Sequence, residues 1–301
     1  MKKLFVGMVA LSMILLLGAG LALANDEFIV ASDIPWAPFE MVTADGQFFG
    51  FDLDVMRCIA VVEGFDFTIK NIAFDTIIDT VKSGKADIGV SGFTITADRA
   101  KSVDFSQPYY LSNQAVVIRK DSGLNIVSAL AGQGPTKAVG AQNGTTGFDW
   151  ADNNGIGITV KGYEYYPTAI LDLVNGRIDA VIQDEPASQA SLAAYPDKLT
   201  IAGVIDTNEY FGFLVAKDDP KGILPKLNDG MAKLGLQVQQ TAGGMQKLVV
   251  TPGSVWDNLL KGYFGPTNEK IEAAWLASKD LLLVDKDVEA FAAKFAEEAT
   301  K

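Results

Sequence analysis

The 301-residue chain is 49% hydrophobic and 21% charged, which supplies apolar surface for a substantial core at a length suited to one large or two modest domains and excludes disorder. Its 25 basic and 37 acidic residues leave a formal net charge of −12, a balance that argues against nucleic acid and anionic membrane surfaces as partners. With no histidine and a single cysteine, Ser-His-Asp and Cys-His triads, a histidine-built zinc site and an internal disulfide are all excluded.

Residues 1–24 read as a secretory leader. Lys2 and Lys3 form the positive start, Val9 to Leu17 is almost wholly apolar, and Ala22-Leu23-Ala24 fits a small-x-small cleavage site. An uncleaved anchor is the alternative, but the apolar stretch is short for a span of about 20 residues and is broken by Gly18 and Gly20. The expectation is a mature protein beginning near Asn25, outside the cytoplasmic membrane, in a periplasm or its equivalent. No cysteine stands at the cleavage site to take a lipid anchor.

The mature chain opens with a short strand, Phe28–Ser32, then a proline-punctuated loop from Asp33 to Phe39 and a turn at Asp45-Gly46. A helix follows over Asp52–Val62, with Leu53, Met56, Ile59 and Ala60 at helical spacing and Gly64 at its end. Cys58 lies in this apolar stretch and reads as a small core residue. Phe67–Ile72 is the next strand, Thr76–Lys82 another helix and Ala86–Val90 a third strand. Strands alternating with helices predict an α/β fold whose mostly parallel sheets are covered by helices.

A weak internal repeat divides the chain. Val81-Lys-Ser-Gly-Lys-Ala-Asp87-Ile-Gly-Val90 is matched by Leu173-Val-Asn-Gly-Arg-Ile-Asp179-Ala-Val-Ile182, each reading as helix, glycine stop, acidic turn and buried strand. The residues after them, Ser91-Gly92 and Gln183-Asp184, then stand past a strand's carboxyl end, where open α/β sheets place ligands. Two apolar stretches, Gln114–Arg119 and Phe211–Ala216, read as crossings between two lobes. The predicted lobes cover 25–117 with 212–265, and 118–211, with hinge closure as the expected motion. A helical tail fills 266–301, and its amphipathic segment Val288–Thr300 is expected to pack on the first lobe.

A cleft between such lobes can hold a free amino acid if it offers a bidentate cation, a fixed anion and a shaped pocket. Ser91 to Arg99 leaves a strand with small and hydroxylated residues and enters a predicted helix with Thr96 as N-cap. Arg99 in its first turn opposes the helix dipole, which favours an anionic partner. Its fork suits a carboxylate, with Thr94 and a backbone N–H adding donors; a surface salt bridge to Asp98 or Asp104 is the plain alternative. Asp184 can receive an ammonium or cap a helix. Gln142 to Gly147, including Thr145 and Thr146, can present N–H groups to an anion or form a simple strand-to-helix turn. It lacks the lysine of a P-loop. Trp36 and Phe74 can sandwich the ligand side chain, although Phe74 is also a natural core residue. Asp33 can meet a positive or hydrogen-bonding tip, or cap its own loop.

At these residues the chain resembles the polar amino-acid solute-binding proteins of bacterial and archaeal ABC importers, across about 25–265. Gly-Phe-Asp-Leu-Asp-Val at 50–55, Ser91 to Arg99, Val103 to Tyr110, the Asn143–Gly147 turn and Asp179 to Pro186 each match a family phrase. The resemblance implies a two-lobed type II periplasmic-binding fold with two crossovers, working as a monomer with no cofactor and delivering its ligand to a membrane permease. It assigns Arg99 to the ligand carboxylate and Asp184 to the ammonium, with Asp33, Trp36, Phe74, Ser91, Gly92, Thr94, Gln142, Thr145, Thr146 and Gln183 lining the pocket. Asp33 with two aromatic rings favours a cationic side chain such as that of arginine, lysine or ornithine; glutamine also suits the polar tip.

The sequence departs from the family pattern at Leu234–Ser254, where extra material is inserted, and in the long tail after Gly265. Two other classes use similar lobes. An exported dehydratase needs a proton donor near its substrate hydroxyl, a role for Asp33 or Asp184, and a dianionic substrate without an ammonium. A receptor's sensor module would continue into a transmembrane helix, where this chain carries a charged amphipathic tail.

Overall fold

The computed structural model describes residues 26–241 and 246–301; the leader read at 1–24 lies outside the described residues. Two five-stranded sheets organise the chain. The first contains β1 (Asp26–Ser32), β4 (Phe65–Asn71), β5 (Ile88–Gly89), β6 (Val103–Phe105) and β12 (Leu214–Ala216), in the order β4-β1-β5-β12-β6. Strands β4, β1 and β5 run parallel, and β12 enters antiparallel between β5 and β6. The second contains β7 (Tyr110–Arg119), β8 (Ala138–Gln142), β9 (Thr159–Tyr163), β10 (Ala180–Asp184) and β11 (Leu199–Phe211), in the order β11-β7-β10-β8-β9.

The internal repeat has a physical meaning in these sheets. Gly84 and Gly176 both take a left-handed φ of +71°, which glycine adopts without a Cβ penalty and which ends each preceding helix. Three residues later Asp87 accepts a hydrogen bond from the Ile29 amide at 2.8 Å, and Asp179 accepts from the Thr136 and Lys137 amides at 3.1 and 2.7 Å. Each acid thus ties the incoming strand to its parallel neighbour, β5 to β1 and β10 to β8. The two lobes are copies of one strand-end construction.

Strands β7 and β11 pair along the cleft, down to Tyr110 opposite Phe211, and carry the chain between lobes. The expected crossings differ in extent. The first begins at Tyr110 rather than Gln114, so the 117/118 division falls inside a strand of the second sheet, which takes residues 110–211. The apolar stretch Phe211–Ala216 is two strands in different sheets, parted at Gly212, where a Cβ would lie 2.9 Å from the Ile95 side chain.

Helix α1 (Phe51–Glu63) ends at Gly64 with φ +70° and buries Leu53, Met56, Ile59, Ala60 and Cys58. It also buries Asp52 and Asp54, which burial requires to be partnered. Asp52 accepts from the Gly92 amide at 2.9 Å and the Tyr109 hydroxyl at 2.6 Å; Asp54 pairs with Arg57 at 2.5 Å and accepts from the Tyr263 hydroxyl. A small hairpin, β2 (Met41–Val42) with β3 (Phe48–Phe49), precedes α1. Helices α2 (Phe74–Lys82) and α7 (Ile223–Lys233) complete the first lobe, and α3 (Ile126–Leu130), α4 (Thr146–Asn154), α5 (Tyr166–Val174) and α6 (Glu185–Ala194) clothe the second.

The insertion at 234–254 forms a hairpin, β13 (Leu236–Gln240) with β14 (Gln246–Val250). Helix α8 (Val255–Tyr263) leads into the tail, which folds as α9 (Asn268–Leu283) and α10 (Val288–Thr300). The tail packs on the first lobe as its amphipathic pattern predicts. Trp275 stacks on Phe49 with ring centroids 4.9 Å apart, and Phe295 lies 4.6 Å from Tyr263. Gly262 makes room for Phe295, since a Cβ there would sit 2.3 Å from its ring. No helix among the described residues is long and apolar enough to cross a membrane. Urea denaturation should show Phe295→Ala losing about 3 kcal/mol, as expected for a buried Phe truncation, and Gly262→Ala losing about 1–3 kcal/mol by overpacking; unchanged stability in both would mean the tail is not part of the folded core.

Candidate functional site

A cavity of about 20 Å³, room for little more than one water molecule, lies between the lobes. Asp33, Trp36, Phe74, Ser91, Gly92, Thr94 and Arg99 line it from the first lobe, and Gln142, Thr145, Thr146, Tyr166 and Asp184 from the second. Most stand just past strand ends: Asp33 after β1, Phe74 after β4, Ser91 after β5, Gln142 and Asp184 at the last residues of β8 and β10. Hydrogen bonds cross the cleft directly. Arg99 Nη2 donates to the Gly144 carbonyl at 2.9 Å, Gln142 Nε2 donates to Asp33 Oδ2 at 2.5 Å, and the Thr94 and Thr146 hydroxyls meet at 3.4 Å.

Arg99 does not start an α-helix, contrary to the sequence expectation. Residues Arg99–Lys101 form a single 3-10 turn, because β6 begins at Val103 and leaves no room for more. Thr96 accepts from the Arg99 amide at 3.1 Å through its hydroxyl, but the N-cap position of the turn falls on Asp98, whose side chain makes no capping bond. The guanidinium folds back to donate to the Thr94 carbonyl at 2.9 Å and lies 5.5 and 5.6 Å from the Phe74 and Phe93 ring centres. Asp98 pairs with Lys101 and Asp104 with Lys217, so the surface salt bridge does not form. Burial pulls the Arg99 pKa below the usual guanidinium range, while Glu209, Asp149 and Asp184 work against that shift.

Gly92 takes φ +55°, and a Cβ there would lie 2.4 Å from the Trp36 ring; only glycine satisfies both demands. Trp36 stacks on Phe39 at 4.8 Å and faces Tyr166 at 6.5 Å, whereas Phe74 stacks on Phe93 at 4.5 Å. Each ring of the expected sandwich is therefore held by another ring behind it. Ser91 accepts from the Asp33 amide at 3.2 Å. Thr145 caps α4 by accepting from the Phe148 amide at 3.1 Å, so the Gln142–Gly147 turn is both a helix start and a cavity wall.

Gln183 does not line this cavity. Its amide donates to Ser191 at 3.0 Å and it borders a separate hollow, since successive strand residues point to opposite faces and Asp184 takes the inward one. Asp184 stands at the N-cap position of α6 without a side-chain capping bond, which sets aside the plain capping role. Two residues escaped the sequence reading. Tyr166 follows β9 as the other wall residues follow their strands, a signal that was present; Glu209 sits in mid-run on β11, where nothing marks it.

The chain matches the bacterial extracellular solute-binding proteins, family 3, over residues 28–247. It belongs to that family. Among relatives, the "ABC transporter arginine-binding protein 1" of Escherichia coli (strain K12) is 33% identical over 66% of this chain and 81% of its own. Among solved structures, holo ArgBP from T. maritima is 35% identical with a TM-score of 0.63, covering 69% of this chain and 90% of that one. An ancestral arginine-binding protein bound to arginine is 29% identical with a TM-score of 0.68, covering 80% and 99%. The fold is the two-lobed type II periplasmic-binding architecture.

Within this family-3 cleft the electrostatics are lopsided. Asp33 and Asp184 each keep one buried carboxylate oxygen, Oδ1, without a hydrogen-bond partner. Burial pushes both carboxyls up to about 7, opposed at Asp33 by the Gln142 bond and reinforced at Asp184 by Glu209. Asp52, behind the wall, is pushed up to about 6, again chiefly by burial. A carboxyl raised in the folded state favours folding at low pH, and that contribution fades as pH climbs through the folded value. The thermal midpoint of the ligand-free protein should therefore fall as pH rises from 5.5 to 8, and Asp33→Asn with Asp184→Asn should flatten most of that slope. An unchanged slope in the double variant would refute these two carboxyls as its source.

Proposed function

We propose that this protein captures a free cationic amino acid, arginine foremost with lysine and ornithine as congeners, and delivers it to the permease of an ABC importer. The observation that carries the reading is the pair of unpartnered buried oxygens on Asp33 and Asp184, one from each lobe. Among the described residues lining the cavity, Arg99 is the one cation. An amino acid with a positively charged side chain brings two cations and one carboxylate, the complement of two carboxylates and one guanidinium. Glutamine brings a single cation and would leave Asp33 facing a neutral amide. The names of the arginine-binding relatives point the same way.

Recognition is non-covalent. Arg99 receives the ligand carboxylate through the N–H groups it does not spend on Thr94 and Gly144, and the ammonium goes to Asp184 on the facing lobe. The side chain runs between Trp36 and Phe74 toward Asp33. Closure then removes water from every charge at once, which strengthens each pairing. Upstream of binding, the protein is exported and cleaved after Ala24, a step read by the N-terminal mass of the secreted form.

Calorimetry and thermal shift of residues 25–301 against the twenty amino acids, ornithine and citrulline test the reading, because a ligand held only by the native state raises its apparent stability. Arginine should give the largest shift. Arg99→Ala should weaken it by about 100-fold or more, since truncating one partner of a buried charge pair costs about 2–5 kcal/mol, and Asp184→Asn should keep the fold while losing affinity. Asp33→Asn should narrow the preference for arginine over glutamine. A response to glutamine alone would keep the amino-acid class and overturn the cationic assignment; silence toward all amino acids, with no co-purified ligand by mass spectrometry, would overturn both.

A further inference from the structure

Glu209 is a buried carboxylate that the ligand reading does not use. It is 8% exposed and stands on β11 immediately after an irregular stretch, where the pairing with β7 shifts register between Ile205 and Glu209 and Asn208 takes a φ of +52°. Three donors converge on it from three parts of the fold. Thr94 of the first lobe donates its hydroxyl to Oε2 at 2.7 Å, Thr146 at the start of α4 in the second lobe donates to the same oxygen at 2.5 Å, and Gln114 of β7 donates to Oε1 at 3.2 Å. Thr94 and Thr146 line both the ligand cavity and an outer groove, and Glu209 lines only the groove. It stands directly behind the threonine wall, and among the charges acting on Arg99 it has the largest effect.

We propose that Glu209 is a positioning residue for closure, a hinge-borne carboxylate that fastens Thr94 of one lobe to Thr146 of the other and holds the lobes together before any ligand arrives. One oxygen accepting two hydroxyls from opposite lobes can be satisfied only when the lobes are shut; opening gives up at least one charge-assisted bond. In the empty cleft the same carboxylate partly balances Arg99, the service a ligand carboxylate performs in the filled one. The two roles give Glu209 its effect on the closed population of the ligand-free protein. The proposal rests on the cleft being the ligand site only for what fills it, and the clasp itself is tested without ligand.

Nitroxide labels on Ser83→Cys at the end of α2 and Asp152→Cys in α4 report the lobe separation by pulsed electron resonance; Cys58, fully buried, stays unlabelled. Ligand-free protein should show a closed distance population that Glu209→Ala reduces about tenfold relative to open, as loss of one or two charge-assisted bonds requires. Glu209→Gln, whose amide oxygen can still accept both hydroxyls, should restore much of it, which a mere packing role would not distinguish. Equal closed populations in wild type, Glu209→Ala and Glu209→Gln overturn the clasp, as does a Gln variant as open as the Ala variant. Saturating arginine should shut all three to one distance. If arginine closes every form while the ligand-free populations are equal, the clasp falls and the ligand reading stands; if the Ala variant opens and arginine closes nothing, the clasp stands and the ligand reading falls.

Discussion

Shutting this cleft takes Arg99 out of water, and the rest of the site is arranged around that cost. A lone guanidinium buried among Phe74 and Phe93 would lose several kcal/mol of hydration. The chain answers with two carbonyls on the guanidinium, a stacked pair of rings beside it and two carboxylates lining the same cavity. The acids overshoot. Asp33 and Asp184 outnumber the single cation lining the cavity, so the enclosure is short of positive charge until something supplies it. That shortage, rather than any one contact, makes the ligand class legible.

The first lobe's share of the wall depends on a second buried acid. Asp52 holds the Gly92 amide and the Tyr109 hydroxyl, and Gly92 in turn lies flat against Trp36 because it has no Cβ. Beside Asp52, burial and then the charge of Asp52 hold the Glu40 carboxyl well above the usual carboxylate range. The tryptophan that walls the cavity is thus set by a chain of contacts running back into α1, which explains why a helix with acids in its first turn turns them inward instead of offering them to solvent.

Much of this was visible in the residues. The alternation of strand and helix, the glycine stops and the matched acidic turns located both lobes and the strand ends where the wall residues stand, and Arg99 and Asp184 were singled out by chemistry suited to a zwitterion. The failures have physical causes. Gln183 and Asp184 are neighbours on one strand, and which of them faces the cleft depends on register, which composition does not encode. The α-helix expected at Arg99 gave way to a turn because the next strand begins too soon. Phe211–Ala216 looked continuous because its apolar run hides the change of sheet at Gly212. Glu209 was silent because an acid amid a strand acquires its role only from the threonines that tertiary folding brings to it.

The placement of β12 sets an order of assembly. Residues 110–211 are contiguous and form the second sheet entirely from themselves, so that lobe can complete its pairing as soon as its own segment is available. The first sheet cannot, because β12 lies between β5 and β6 and arrives only with Leu214–Ala216. Until then β5 and β6 each present an unpaired edge, the kind that recruits other chains. The interval between completion of the second sheet and the arrival of β12 is the time during which the first lobe is most open to aggregation.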